Sequence, residues 1–249
     1  MGDCGYHRNW RLLLQLSTSS GGDYSVNFEP FALPAVLLVA LTSLILLVSP
    51  DWRVSILALA VQYVGVFALV ALVWPLEMAV AKLVTGWMAG AILGVAVAGL
   101  LDDGPITEAG KALDHQAEMS EEAPKTVPNV GYATVSFPSS RVFRLLAALL
   151  ICLAVLSIAP EMIQWVPGIT LEQAWGGLIL IGIGLLQLGF TGYTFRTVLG
   201  LLTMLAGFEI LYAVVESSTL VAGLLAGVNL MLALAGAYLL TAPSMEETA

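Results

Sequence analysis

Seven long apolar runs, parted by short polar breaks and one long polar stretch, set the pattern of this chain. They cover about residues 31–49, 53–73, 76–101, 143–159, 175–193, 195–215 and 219–241. A helix needs about 20 apolar residues to cross the hydrocarbon of a bilayer, and most of these runs meet that length. The fourth is short, but it can extend through Pro160 toward Trp165, an interfacial residue type. Ser217 and Ser218 make a thin turn between the last two runs, which predicts an antiparallel hairpin there. The fold class expected is all-α, a polytopic integral membrane bundle of about seven transmembrane helices.

The polar residues divide the chain further. Residues 1–30 form a polar N-terminal tail, 31–101 three helices, 102–142 an acidic loop, and 143–193 two more helices. Residues 194–241 make the hairpin and 242–249 a C-terminal tail. The loop carries Asp102, Asp103, Glu108, Asp114, Glu118, Glu121 and Glu122 against Lys111, Lys125 and Arg141, with four prolines, so it reads as solvated chain rather than a domain. Residues 1–30 do not fit a signal peptide: the run Arg11-Leu-Leu-Leu-Gln-Leu-Ser17 is too short and no small-residue cleavage site follows. The run beginning near Phe31 is therefore expected to be a retained anchor.

With seven crossings, one side of the membrane receives Arg53, Lys111, Lys125, Arg141, Arg144 and Arg196, and the other only Arg8 and Arg11. The positive-inside rule then puts the N-terminus outside and the C-terminus in the cytoplasm.

Composition agrees with the pattern: 59% of residues are hydrophobic and 11% charged, and the mean hydropathy is +0.91, outside the range of a soluble domain. A net charge of −9 leaves no basic footprint for nucleic acid. Cys4 and Cys152 form no CxxC pair, and His7 and His115 lie in polar segments. No metal site, iron–sulfur site or disulfide is expected within the chain. There is no nucleotide-binding glycine motif and no Ser/His/Asp set, so no catalytic residue or cofactor is expected either.

Chemistry is concentrated in the few charges inside the apolar runs. Glu209 lies thirteen residues beyond Arg196, about 20 Å along a helix. If Arg196 marks one membrane face, the carboxylate is deep in the hydrocarbon. A charge there costs at least ~2.5 kcal/mol, and such residues tend to face protein or water and to move ions. Tyr212 and Glu216 follow at helical spacing, so the three form a stripe toward the far end of the sixth helix. Lys82 precedes Gly86, Gly90, Gly94 and Ala98 at four-residue intervals, which places it on a small-residue face where helices approach closely. Its long stem would also let it reach the interface near Trp74, eight residues away. Glu77 is nearer still to that interface. Asn229 and Gln187 are the amides expected to bond across to neighbouring helices, and Gly223 and Gly227 form a second close-packing pair. The candidate proton relay is thus Glu209 with Lys82 and Glu216, supported by Asn229, Tyr212 and Arg196.

With Arg196 opening the sixth helix and Gly207-Phe208-Glu209 inside it, the C-terminal three helices resemble the K-type membrane subunit of respiratory complex I. That subunit carries Gly-Leu-Glu in an equivalent helix and is related to the C subunit of Mrp-type sodium/proton antiporters. The seven-helix layout resembles more closely the E component of membrane-bound, formate-hydrogenlyase-type hydrogenases, in which a tryptophan also precedes an intramembrane lysine by eight residues, as Trp74 precedes Lys82. The resemblance covers about residues 31–100 and 175–241. It implies a cell-membrane protein, partnered by antiporter-like and hydrogenase or quinone-oxidoreductase subunits that perform the redox chemistry. Its part would be proton or sodium translocation. The chain departs from the K-type pattern at Asn229, where a second carboxylate would be expected; an amide cannot carry a proton through a protonation cycle. A place in an Mrp-type antiporter and a purely structural role stay open. A self-sufficient transporter is disfavoured, because no internal repeat is evident.

Overall fold

The computed structural model describes residues 29–102, 140–190 and 192–246. Most of the N-terminal tail and of the acidic loop lies outside the described residues. The described residues form seven helices: α1 (Glu29–Val48), α2 (Trp52–Val70), α3 (Leu76–Asp102), α4 (Ser140–Trp165), α5 (Leu171–Phe190), α6 (Thr194–Val215) and α7 (Thr219–Glu246). All seven are long and apolar enough to cross a membrane, as the apolar runs predicted. α4 continues through Pro160 to Trp165.

One boundary differs instructively from the run that predicted it. α5 begins at Leu171, ahead of the apolar run at 175, because Thr170 and Gln173 cap it reciprocally. The Thr170 amide donates to Gln173 Oε1 at 3.1 Å, and the Gln173 amide to Thr170 Oγ1 at 3.3 Å. This Thr-x-x-Gln box satisfies backbone donors that the start of a helix leaves open. Gln173 is fully buried, and its Nε2 also donates to the Leu69 carbonyl at 3.0 Å, tying α5 to the end of α2.

α6 is the central helix, with 56% of an 18-residue stretch buried, whereas α4 and α7 are peripheral at 17% of such a stretch each. The tightest pairing is α5 with α6, and its cause is four glycines spaced by seven. A Cβ on Gly207 would lie 2.6 Å from the Gly177 carbonyl, and one on Gly184 would lie 2.9 Å from the Gly200 carbonyl. Backbone thus meets backbone at two levels of an antiparallel pair, the close approach that small residues permit without lipid-driven hydrophobic force.

The other glycine faces split. Gly86 takes the ring of Tyr63 directly against it, where a Cβ would have no room, and Gly94 faces Ile56. That face of α3 therefore packs on α2. Gly223 and Gly227, expected to be a close-packing pair, have nothing within 4 Å of an added Cβ. Their side of α7 has no neighbour among the described residues. The expected α6–α7 hairpin is also modified: α7 packs more extensively on α3 than on α6, touching α6 where Gly236 meets Val198.

The two ends of the bundle differ. At one, Arg196 Nη2 donates to the Ser49 carbonyl at 2.7 Å, joining the start of α6 to the end of α1. At the other, Trp74 Nε1 donates to the carbonyls of Ala213 and Glu216, at 2.9 and 3.2 Å. Arg53, Arg144 and Arg196 share the first end, in keeping with the cation asymmetry of the sequence.

Candidate functional site

The polar centre of the bundle is assembled by glycine contacts that fix which way two charged residues face. Gly207 holds α6 against α5. Two residues on, Glu209 is turned by about 200°, to the side away from α5. On α3, Lys82 lies one turn from Gly86, on the face that α2 covers. The two side chains meet between the helices in a direct ion pair, Lys82 Nζ to Glu209 Oε2, at 4% and 2% exposure. It is the one salt bridge among the described residues.

α7 closes the third side. Asn229, fully buried, donates from Nδ2 to Glu209 Oε1 at 3.0 Å. One carboxylate oxygen therefore faces the ammonium, and the other accepts from a neutral amide. Lys82 Nζ also stands 6.0 Å from the centre of the Tyr63 ring, within reach of a cation–π attraction. Tyr63 itself is fully buried and its hydroxyl has no hydrogen-bond partner.

This arrangement explains how two charges stand inside an apolar bundle. Removing an ion from water costs several kcal/mol even after relaxation, and only close pairing with further hydrogen bonds offsets it. Here the charges cancel, and Asn229 supplies the extra bond. Lys82 does not snorkel to the interface; its ammonium is turned inward to Glu209.

The remaining candidates lie apart from this pair. Glu216 ends α6, its carboxylate accepting from the Ser218 amide at 3.0 Å, about 10 Å along the helix from Glu209. Tyr212 is half-buried and stacks on Phe208, with centroids 5.5 Å apart. Arg196 is at the opposite end of α6, held by Ser49.

Three polar residues that sequence reasoning did not single out are buried in mid-bundle: Tyr63, Gln62 and Thr203. Both amide atoms of Gln62 and the hydroxyl of Thr203 lack hydrogen-bond partners. The available signal was a Gln-Tyr pair in the middle of the second apolar run. Among the described residues no group of His, Cys, Asp and Glu could hold a metal ion. Comparison with protein-family models, curated proteins and solved structures returns no match to this chain.

Proposed function

We propose that this chain is an integral membrane subunit of a complex I-related assembly, a hydrogenase or quinone oxidoreductase whose redox chemistry resides in partner subunits. Its own part is to handle protons, or sodium ions, at the Lys82–Glu209 pair. The supporting observation is the pair itself: two ionisable groups, buried and in direct contact, at a depth where apolar residues would pack at lower cost.

The pair can take up and release a proton without a large movement. A proton arriving at Glu209 neutralises the carboxylate and frees the Lys82 ammonium, whose flexible stem lets it turn toward the face of Tyr63. Loss of that proton restores the pair. Asn229 donates to Oε1 in both states and keeps the carboxyl group aimed at α3. Gln62 and Thr203 lie on the Arg196 side of Glu209. Buried polar atoms without protein partners are where internal water is held. A hydrated route toward the Arg196 end would pass them, and Glu216 marks the way to the Trp74 end.

The test is the paired substitution Lys82→Met with Glu209→Gln, which removes both charges and leaves neither unpaired. In mild detergent the parent and the double variant are expected to copurify with larger membrane subunits. In membrane vesicles the variant assembly is expected to lose proton movement while electron transfer persists or slows. An assembled double variant that moves protons like the parent would assign the pair a structural role.

A further inference from the structure

At the Arg196 end, a crevice opens between four helices. Its polar lining is Arg144 of α4, Gln187 of α5 and Arg196 of α6; its apolar lining includes Leu46, Leu47 and Phe190. Two guanidinium groups thus converge on one small space, close enough to repel each other. Neither has a carboxylate partner among the described residues. One N–H of Arg196 goes to the Ser49 carbonyl. A guanidinium has five N–H donors, so both groups keep donors to spare.

Like charges held together in a part-apolar crevice call for an anion between them. The planar fork of arginine fits the oxygens of phosphate in particular. The depth is right for a head group: Arg144 is four residues into α4 and Arg196 two into α6, about 6 and 3 Å along their axes. The crevice is also continuous with a lipid-facing surface. Phe190 on its wall makes an edge contact with Phe143, at 5.5 Å between centroids. Phe143, Leu146 and Leu150 then run outward along α4, each about half-exposed or more.

We propose that this crevice binds the phosphate of an anionic phospholipid, with Arg144 and Arg196 clamping the head group and an acyl chain lying along α4 past Phe143. Basic pockets between membrane helices are well suited to such head groups. A free phosphate ion shares the chemistry at the arginines but has no use for the apolar wall.

The probes are phosphatidylglycerol, phosphatidylcholine and inorganic phosphate, added to the protein isolated from its membrane in an uncharged detergent. Binding is read by native mass spectrometry and by the shift in thermal unfolding. Phosphatidylglycerol is expected to bind and stabilise, and phosphatidylcholine to do so about tenfold more weakly. The variant R144Q/R196Q is expected to lose that preference, while R53Q, at the same end but outside the crevice, keeps it. Should the double variant fail to fold, R144Q alone decides, since the Arg144 side chain makes no hydrogen bond to the described residues. Equal binding of the two lipids, or a preference that survives R144Q, overturns the proposal. Arginine-dependent stabilisation by millimolar inorganic phosphate equal to that by phosphatidylglycerol overturns the lipid and leaves a soluble anion as the ligand.

Discussion

Lys82 of α3 and Glu209 of α6 neutralise each other across the bundle, and no water-exposed group takes part in the contact. What each residue contributes to stability therefore depends on the other. Removing one partner of a buried pair leaves an uncompensated charge, a loss of about 3–5 kcal/mol, whereas removing both can be nearly neutral.

Glu209→Gln and Lys82→Met are each expected to lower stability by that amount, and the double variant by clearly less than their sum. Unfolding in detergent, run as a double-mutant cycle, measures the coupling. Additive losses would contradict a direct pair.

Asn229→Leu keeps the branched heavy-atom shape of the side chain, at a larger volume, but removes the donor to Glu209 Oε1. The carboxylate then has one unsatisfied oxygen, and the expected loss is about 1–3 kcal/mol. In a Lys82→Met/Glu209→Gln background the same change is expected to cost less, because no ionised oxygen awaits a donor. The same unfolding assay compares the two.

How far the site could be read from sequence follows from these three residues. Glu209 and Lys82 stood out because a charge in an apolar run is conspicuous at any position. Their pairing did not, since α3 and α6 are far apart in the chain and a lysine eight residues from Trp74 could equally have reached the interface. Asn229 was expected to bond across to a neighbour; that its partner is Glu209 depends on how α7 sits between α3 and α6. The seven spans were legible because apolar length alone sets them. The glycine faces were legible only in part: four-residue spacing drew attention to Gly86–Gly94 and Gly223–Gly227, while the backbone-to-backbone contact of α5 and α6 uses a seven-residue spacing on two helices.

That contrast gives a third prediction. Gly207→Ala puts a methyl group 2.6 Å from the Gly177 carbonyl and 2.8 Å from the Ile181 amide nitrogen. Backbone cannot turn aside as a side chain can, so α5 and α6 must separate. The expected loss is about 1–3 kcal/mol or more, as for other overpacked sites. Gly223→Ala and Gly227→Ala meet nothing among the described residues and are expected to leave the isolated protein as stable as the parent, or slightly more stable through better helix propensity. Thermal unfolding of the three variants side by side checks this.

Orientation is open to direct labelling. In a Cys4→Ser/Cys152→Ser background, single cysteines at Gly192 and Ser217 report opposite ends of α6, and both positions are exposed. With the cationic end in the cytoplasm, the cysteine replacing Ser217 is expected to react with an impermeant thiol reagent in intact cells. The one replacing Gly192 is expected to react only after lysis. The reverse pattern would invert the topology.

The paired glycines of α5 and α6 also act as a ruler. One residue inserted between Gly200 and Gly207 would advance everything after it by about 100° around the helix. Gly207 would leave its seat opposite Gly177, or else Glu209 would swing away from Lys82. Seven residues on each helix is therefore a fixed length, and insertions have no neutral place between those marks. They are better borne at Gly192, where an added Cβ meets nothing among the described residues.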